Sequence, residues 1–241
     1  MGLPIQTIRF LEQLESHNIL LIEWQNALLI RLGYPLVPVG DLFFLVPDDQ
    51  LGIAAKLAAD IGYHAADRET LPPKYPSEES SCSIRYIIRN PSEDPYVLNS
   101  ATRLVLLPSS WAGISHHEAI RLTAPENSLP CTVYTVPVSV ACAAFVRIIS
   151  REKGGSALRR ATIHELCGVI TYRYFDMSYE GDYREIVPDD QPLSEKEVLE
   201  IENAIKELEG WEMKEGEEWI RSQLIQVITG KISYENLPSR Q

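Results

Sequence analysis

Apolar residues recur every three to four positions at the start of the chain, with Ile5, Ile8, Leu11 and Leu14 on one stripe, and this predicts an amphipathic helix over residues 4–16. A short unbroken apolar run, Ile19 to Ile22, then suits a buried strand. "WQNALLIRLG" returns to helical spacing and closes on Gly33, a residue free to take the left-handed backbone that ends helices. Two strand-like runs follow, "LVPV" and "LFFLV". The prolines at 35 and 38 lack backbone donors and favour an edge or a bend there. "PDDQLGIAAKLAADIGY" is the clearest helix, with acids in its first turn, alanine-rich periodicity and Gly62 at its close.

Residues 64–81, "HAADRETLPPKYPSEESS", read as a polar, proline-containing surface loop. "CSIRYIIR" and "TRLVLLP" are two further strands separated by the turn "NPSEDP", and "LPCTVYTVP" is another. After Pro137 the pattern becomes helical throughout. Residues 138–152 and 156–176 give long helices joined by "KGG". A loop over 176–193 leads to a helix that Ser194 and Glu197 start as a capping box, and a last helix covers Glu212 to about Thr229. The expected class is α+β: a mixed sheet with flanking helices over residues 1–137, then a helical part with acidic C-terminal helices over 138–241.

Charge narrows the partners. The net charge is −12, and residues 176–241 hold 17 acids against 7 bases, which leaves the body close to neutral. A protein that grips phosphates needs a basic face, so nucleic acid is excluded as an expected partner and a small molecule or a protein remains. No apolar run approaches the roughly 20 residues that span a bilayer. The first residues lack a signal-peptide core, and Gln6 stands where a myristoylation signal needs Ser or Thr, so a cytoplasmic protein without membrane attachment is expected. The four cysteines, Cys82, Cys131, Cys142 and Cys167, have no CxxC spacing and are expected as free thiols.

"GYPLVPVGDLFFLVPDDQL" carries the most suggestive chemistry. Asp41 leads an apolar strand, and Phe43 occupies the position two residues on, where a second acid would share its face. From Trp24 to Tyr63 the order is an Ala-Leu helix ending in Gly, a short hairpin, an Asp-led strand and a helix ending in Gly-Tyr. This order resembles the nucleotidyltransferase superfold, the DNA-polymerase-beta-like fold, and especially its fungal hypothetical and bacterial toxin-type members. The resemblance covers roughly residues 15–107. It implies a Gly-Gly or Gly-Ser turn approaching phosphates, an Asp-x-Asp or Asp-x-Glu pair, and a third acid on a later strand. Together the acids would hold magnesium on a nucleotide.

This chain departs from that pattern at most of its points. Asp41 matches the first acid, but Phe43 replaces the second, Glu23 and Trp24 stand at the glycine pair, and "TRLVLLP" has no acid. Asp48 and Asp49 are explained as first-turn acids of the next helix. Fold likeness does not carry activity with it. The expectation is a catalytically degenerate protein that acts as a binding or interaction module without a cofactor. Glu23 and Trp24 would close the phosphate pocket, and Trp111 and Ser110 would wall a cleft at a strand end. Two other readings stand beside it: a metal-dependent nucleotidyl or phosphoryl transferase that uses Asp41 with acids from elsewhere and magnesium, and a metal-independent enzyme on a small metabolite in the same cleft. Asp41 itself is expected at the surface, as a strand-start residue.

Other groups have sufficient structural explanations. Adjacent His116, His117 and Glu118 point apart and make a poor chelate, so a helix start after Ser115 is expected there. His164 and Cys167 share a helix face, but Ile163, Leu166, Val169 and Ile170 mark the buried side of that helix. "SYEGDYREIVPDD" (178–190) reads as a solvated connector. The stripe Val198, Ile201, Ile205 and Leu208 is expected to pack on the body. G-x-S-x-G, H-E-x-x-H and the P-loop motif are absent from the sequence.

Overall fold

The computed structural model describes residues 3–38, 40–89, 101–177 and 193–240. The expected turn at 90–95 and the connector at 178–190 lie outside them. The chain forms two compact units, one of residues 1–31 and 36–144, the other of 32–35 and 145–241. Among the described residues no helix is long and apolar enough to cross a membrane.

The first unit opens with helix α1 (Ile5–Ser16), whose buried face is Thr7, Phe10, Leu11 and Leu14, so the expected stripe is covered at Leu11 and Leu14 while Ile5 is exposed. Strand β1 (Ile22–Glu23) and helix α2 (Asn26–Arg31) follow. The turn between them holds Gln25 at φ 53°, a left-handed backbone that costs a non-glycine residue about 1 kcal/mol. Strand β2 (Leu42–Val46), helix α3 (Asp48–Asp60), strands β3 (Ile84–Arg89) and β4 (Thr102–Pro108), and the short helix α4 (Ser109–Ala112) come next. Strands β5 (Ile120–Arg121) and β6 (Tyr134–Thr135) complete a six-stranded mixed sheet in the order β3-β4-β2-β1-β6-β5. The α+β class and mixed sheet expected from the sequence are both present.

β2 is central, parallel to β4 and antiparallel to β1, so of the edge or bend expected at the prolines the bend is the one formed. The prolines do their work before the strand: residues 34–38 form no strand, and Val37 is 79% exposed. β4 buries Leu104 to Leu107 completely, as a strand covered on both faces must. On one face of the sheet Phe44, Val46, Leu104 and Leu106 join Phe10, Leu11 and Leu14 of α1 and Ala54 and Ala58 of α3 in a single core. Phe10, Tyr63 and Tyr86 pack ring against ring at 5.0–5.6 Å. Burial pushes the Tyr86 phenol up to about 12.

The second unit takes its helices from α5 (Val138–Arg151), which begins in the first unit, and from α6 (Ala157–Tyr174), α7 (Glu195–Glu209) and α8 (Glu218–Ile228). The Ser194–Glu197 capping box forms as expected. α8 starts at Glu218 rather than Glu212, because Gly216 at φ 80° breaks the run before it. Along α7 Leu208 is buried, whereas Val198 is 42% exposed, so the expected stripe is covered at its C-terminal end only. Arg159, 3% exposed, donates to the carbonyls of Ile149, Glu235, Leu237 and Pro238 and so fixes the C-terminal residues on α6.

Tyr34 lies flat on α6 because residue 168 is glycine. A Cβ there would stand 2.4 Å from the Tyr34 ring. Gly168→Ala is therefore expected to destabilise the protein by roughly 1–3 kcal/mol through overpacking. Tyr34→Ala in the same chain should recover part of that loss, so urea denaturation of the two single variants and the double variant should show strong non-additivity.

Candidate functional site

Asp41 precedes β2 and alternation puts its side chain on the same face as Phe43. Contrary to the surface position expected for it, the Asp41 side chain is 1% exposed. Its Oδ2 accepts from Lys74 Nζ at 2.9 Å and from the Tyr75 hydroxyl at 2.8 Å, and its Oδ1 accepts from the Arg103 backbone N–H at 3.0 Å. The Tyr75 ring meets Phe43 edge-on at 4.9 Å. One tyrosine thus covers both positions of the would-be acid pair, bonding the first and packing on the second.

The residues that deliver Tyr75 come from the stretch read as a surface loop. Leu71, Ser77 and Glu78 are each 1% exposed, so the segment folds onto the sheet. Pro76 starts a short 3-10 turn, Pro76–Glu79, and Glu78 reaches back to accept from the backbone N–H groups of Lys74 and Tyr75 at 3.0 and 2.9 Å. Its carboxylate also accepts twice from Arg103 Nη1, at 2.9 and 2.8 Å. Arg85 of β3 donates to the Leu71 carbonyl at 2.9 Å. Two carboxylates and two cations, Asp41 with Lys74 and Glu78 with Arg103, therefore close one neutral, largely buried network. Burial above all, then the bond to Asp41, holds the Tyr75 phenol well above its ordinary value, so it remains a donor.

The donor set decides the fit of the magnesium that the sequence resemblance implies. A magnesium site takes several hard oxygen ligands. Here Phe43 offers none, and the β4 residues beside β2, Leu104 to Leu107, are apolar. The oxygen of Asp41 that would face a metal already holds an ammonium. A divalent ion about 4 Å from that ammonium would be repelled by roughly 2 kcal/mol in water and about 8 at an effective dielectric of 20. These residues do not fit magnesium. Among the described residues no group of three or more His, Cys, Asp or Glu side chains could hold a metal ion.

Glu23 stands on β1 with its side chain 4% exposed, and Arg31 clasps both its oxygens, Nε on Oε1 and Nη2 on Oε2. That hydrogen bonding is the main reason the guanidinium is held above its ordinary value. Arg31 Nη2 also donates to the Glu126 carbonyl at 3.3 Å. Glu23 is thus charge-balanced, and not the bare negative charge that the sequence implied. Glu23 and Asp41 line one cavity of about 300 Å³, with Phe43 and Phe44 of β2.

Trp24, Trp111 and Ser110 line neither this cavity nor the larger one described below. Trp24 is 1% exposed, its ring edge-on to Trp111 at 6.0 Å, and its backbone N–H donates to the Phe43 carbonyl at 3.0 Å. Ser110 donates its backbone N–H and its hydroxyl to Asp48, at 3.1 and 2.5 Å. The larger cavity, about 550 Å³, lies at the opposite end of β2, by Pro47, Asp49, His116, Arg121 and Tyr134. A short 3-10 turn, His116–Glu118, follows Ser115, and the Glu118 carboxylate accepts from the Ser115 N–H at 2.8 Å. His164 shares a hydrogen bond with the Tyr34 hydroxyl at 3.0 Å, whereas Cys167 lies 3.8 Å from the Thr171 hydroxyl, so this pair does not form a nucleophile and base. None of the four cysteines forms a disulfide.

Sequence reading missed Lys74, Tyr75, Glu78, Arg103 and Arg31. A signal was available for the network: arginine inside the apolar runs "IRYIIR" and "TRLVLLP" demands a buried partner. Nothing local says which acid supplies it.

No model of a known family matches the chain, and no curated protein matches it. Among solved structures, an antigenic nucleotidyltransferase-like protein from Paracoccidioides brasiliensis is similar to it, with a TM-score of 0.40 and 15% identity over 68% of this chain and 74% of that one. With that overlap, the roles of individual residues here rest on this chain's own geometry.

Proposed function

We propose that the chain is a catalytically degenerate protein of nucleotidyltransferase-like build that acts as a binding or interaction module. The observation that carries this reading is the occupation of Asp41 by Lys74, Tyr75 and the Arg103 N–H. A carboxylate that accepts from an internal ammonium and an internal phenol serves as a structural partner, and a metal would have to displace both. The paired state of Glu23 and Arg31 supports the same reading, since the Nε–Nη2 side of the guanidinium is already spent on a carboxylate of the chain. The cavity beside these residues remains as the place where a ligand fits.

Calorimetric titration with ATP, GTP, CTP and UTP in the presence of magnesium is expected to show no metal-dependent binding. Micromolar affinity that needs magnesium and disappears in Asp41→Asn would overturn the proposal in favour of an active transferase. Stability gives an independent check. Asp41→Ala removes the acceptor of three hydrogen bonds and leaves Lys74 without its counter-charge, so a loss of roughly 2–4 kcal/mol is expected in chemical denaturation. Tyr75→Phe keeps the ring on Phe43 and removes only the hydroxyl, so its loss should be smaller, about 1–2 kcal/mol.

A further inference from the structure

We propose that the 300 Å³ cavity beside Glu23 and Asp41 is a binding site for a small, uncharged and mainly apolar molecule, an inference that rests on the binding role above and names its ligand class. The cavity has a topological origin. β1 stops after two residues, and the chain turns through Trp24 and Gln25 into α2. Beyond the bond from the Trp24 backbone N–H to the Phe43 carbonyl, the start of β2 therefore has no strand neighbour on that side among the described residues. The gap is walled by Ile30 of α2, Leu42 and Phe44 of β2, and Leu122, Leu129 and Val133 from the segment leading into β6. Of these, Phe44, Leu122 and Val133 belong to the buried core and Leu42 and Leu129 pack against it, so an apolar occupant would extend that core.

The charges around the gap are satisfied within the chain. Glu23 is held by both nitrogens of the Arg31 fork, Asp41 is engaged by three donors, and Glu126 accepts from the Thr123 N–H and hydroxyl, both at 3.2 Å. An anion would meet the carboxylates of Glu23, Asp41 and Glu126 in the same space, and taking the Arg31 nitrogens that hold Glu23 would strand a buried carboxylate. A cation would meet the Arg31 guanidinium in the same space. An uncharged molecule incurs neither cost, and the Asn26 amide and Ser128 hydroxyl can each offer it a hydrogen bond. The volume, at the small end of the range for ligand pockets, suits a compact ring system.

The test uses the full chain and the neutral fluorophore N-phenyl-1-naphthylamine. Titration should give a blue-shifted, saturable signal at one site per chain with micromolar affinity. Ala27→Trp and Ser128→Trp place bulk into the cavity from opposite walls at exposed positions, where folding tolerates it. Each should weaken the probe at least tenfold while leaving the circular dichroism and the melting transition unchanged. Absence of binding to the unmodified protein, or affinity unchanged in both variants, overturns the inference while the degenerate-site reading stands. Displacement of the probe by an anionic naphthalene sulfonate at equal or higher affinity overturns the ligand class. Magnesium-dependent nucleotide binding that leaves the probe in place overturns the reading under Proposed function and leaves this site standing.

Discussion

Two buried carboxylates, Asp41 just before β2 and Glu78 in the segment folded over the sheet, must be neutralised together, and the structure around them meets that need. Asp41 and Glu78 have side chains 1% and 0% exposed, and charge at that depth is tolerated only with a counter-charge and a full set of donors. Arg103 answers Glu78 from β4 and donates its own backbone N–H to Asp41, and Lys74 and Tyr75 complete the set. The stretch from Leu71 to Glu79 is thereby held against β2, β3 and β4. Removing any one member would leave another charge or donor buried without its partner.

This arrangement also decides what chemistry the acid-led strand can do. A metal site and an internal salt bridge ask for the same thing from a carboxylate, and here the salt bridge has it. Buried ion pairs contribute little net stability compared with apolar packing, but they fix one arrangement against alternatives. The same logic recurs at Glu23, where Arg31 takes both oxygens and ties the end of α2 to the Glu126 carbonyl. Between the two pairs the short β1 leaves an apolar gap. The proposed binding of an uncharged molecule there rests on the charges paired at the rim of the gap and the apolar residues in its walls.

Elements with their own periodicity were legible in the sequence. α1, α3, β4 and α6 lie within a few residues of where the stripes, the acidic first turn and the apolar runs put them, and Ser194 with Glu197 starts α7 as its spacing requires. β5 was not legible, and β1 and β6 were legible only as longer apolar runs, Ile19–Ile22 and 129–137, because a strand of two residues has no alternation to read and exists only through its neighbours. "LVPV" misled for the converse reason: its apolar letters suit a strand, but its prolines keep it out of the ladder, and the chain enters the sheet only at Leu42.

The sequence by itself determined the α+β class, the acid-led strand, the missing second acid at Phe43 and the arginines standing in apolar runs. Each of these is a property of one residue type in one local pattern. The tertiary structure alone decided that Asp41 is buried, that residues 71–79 cover it, and that Lys74 is its cation. The bonds that fix these facts join residues 25, 33, 34 and 62 positions apart. Coulomb attraction and desolvation act through space, and many acids and bases in the chain have the right charge. Only the fold selects which of them meet.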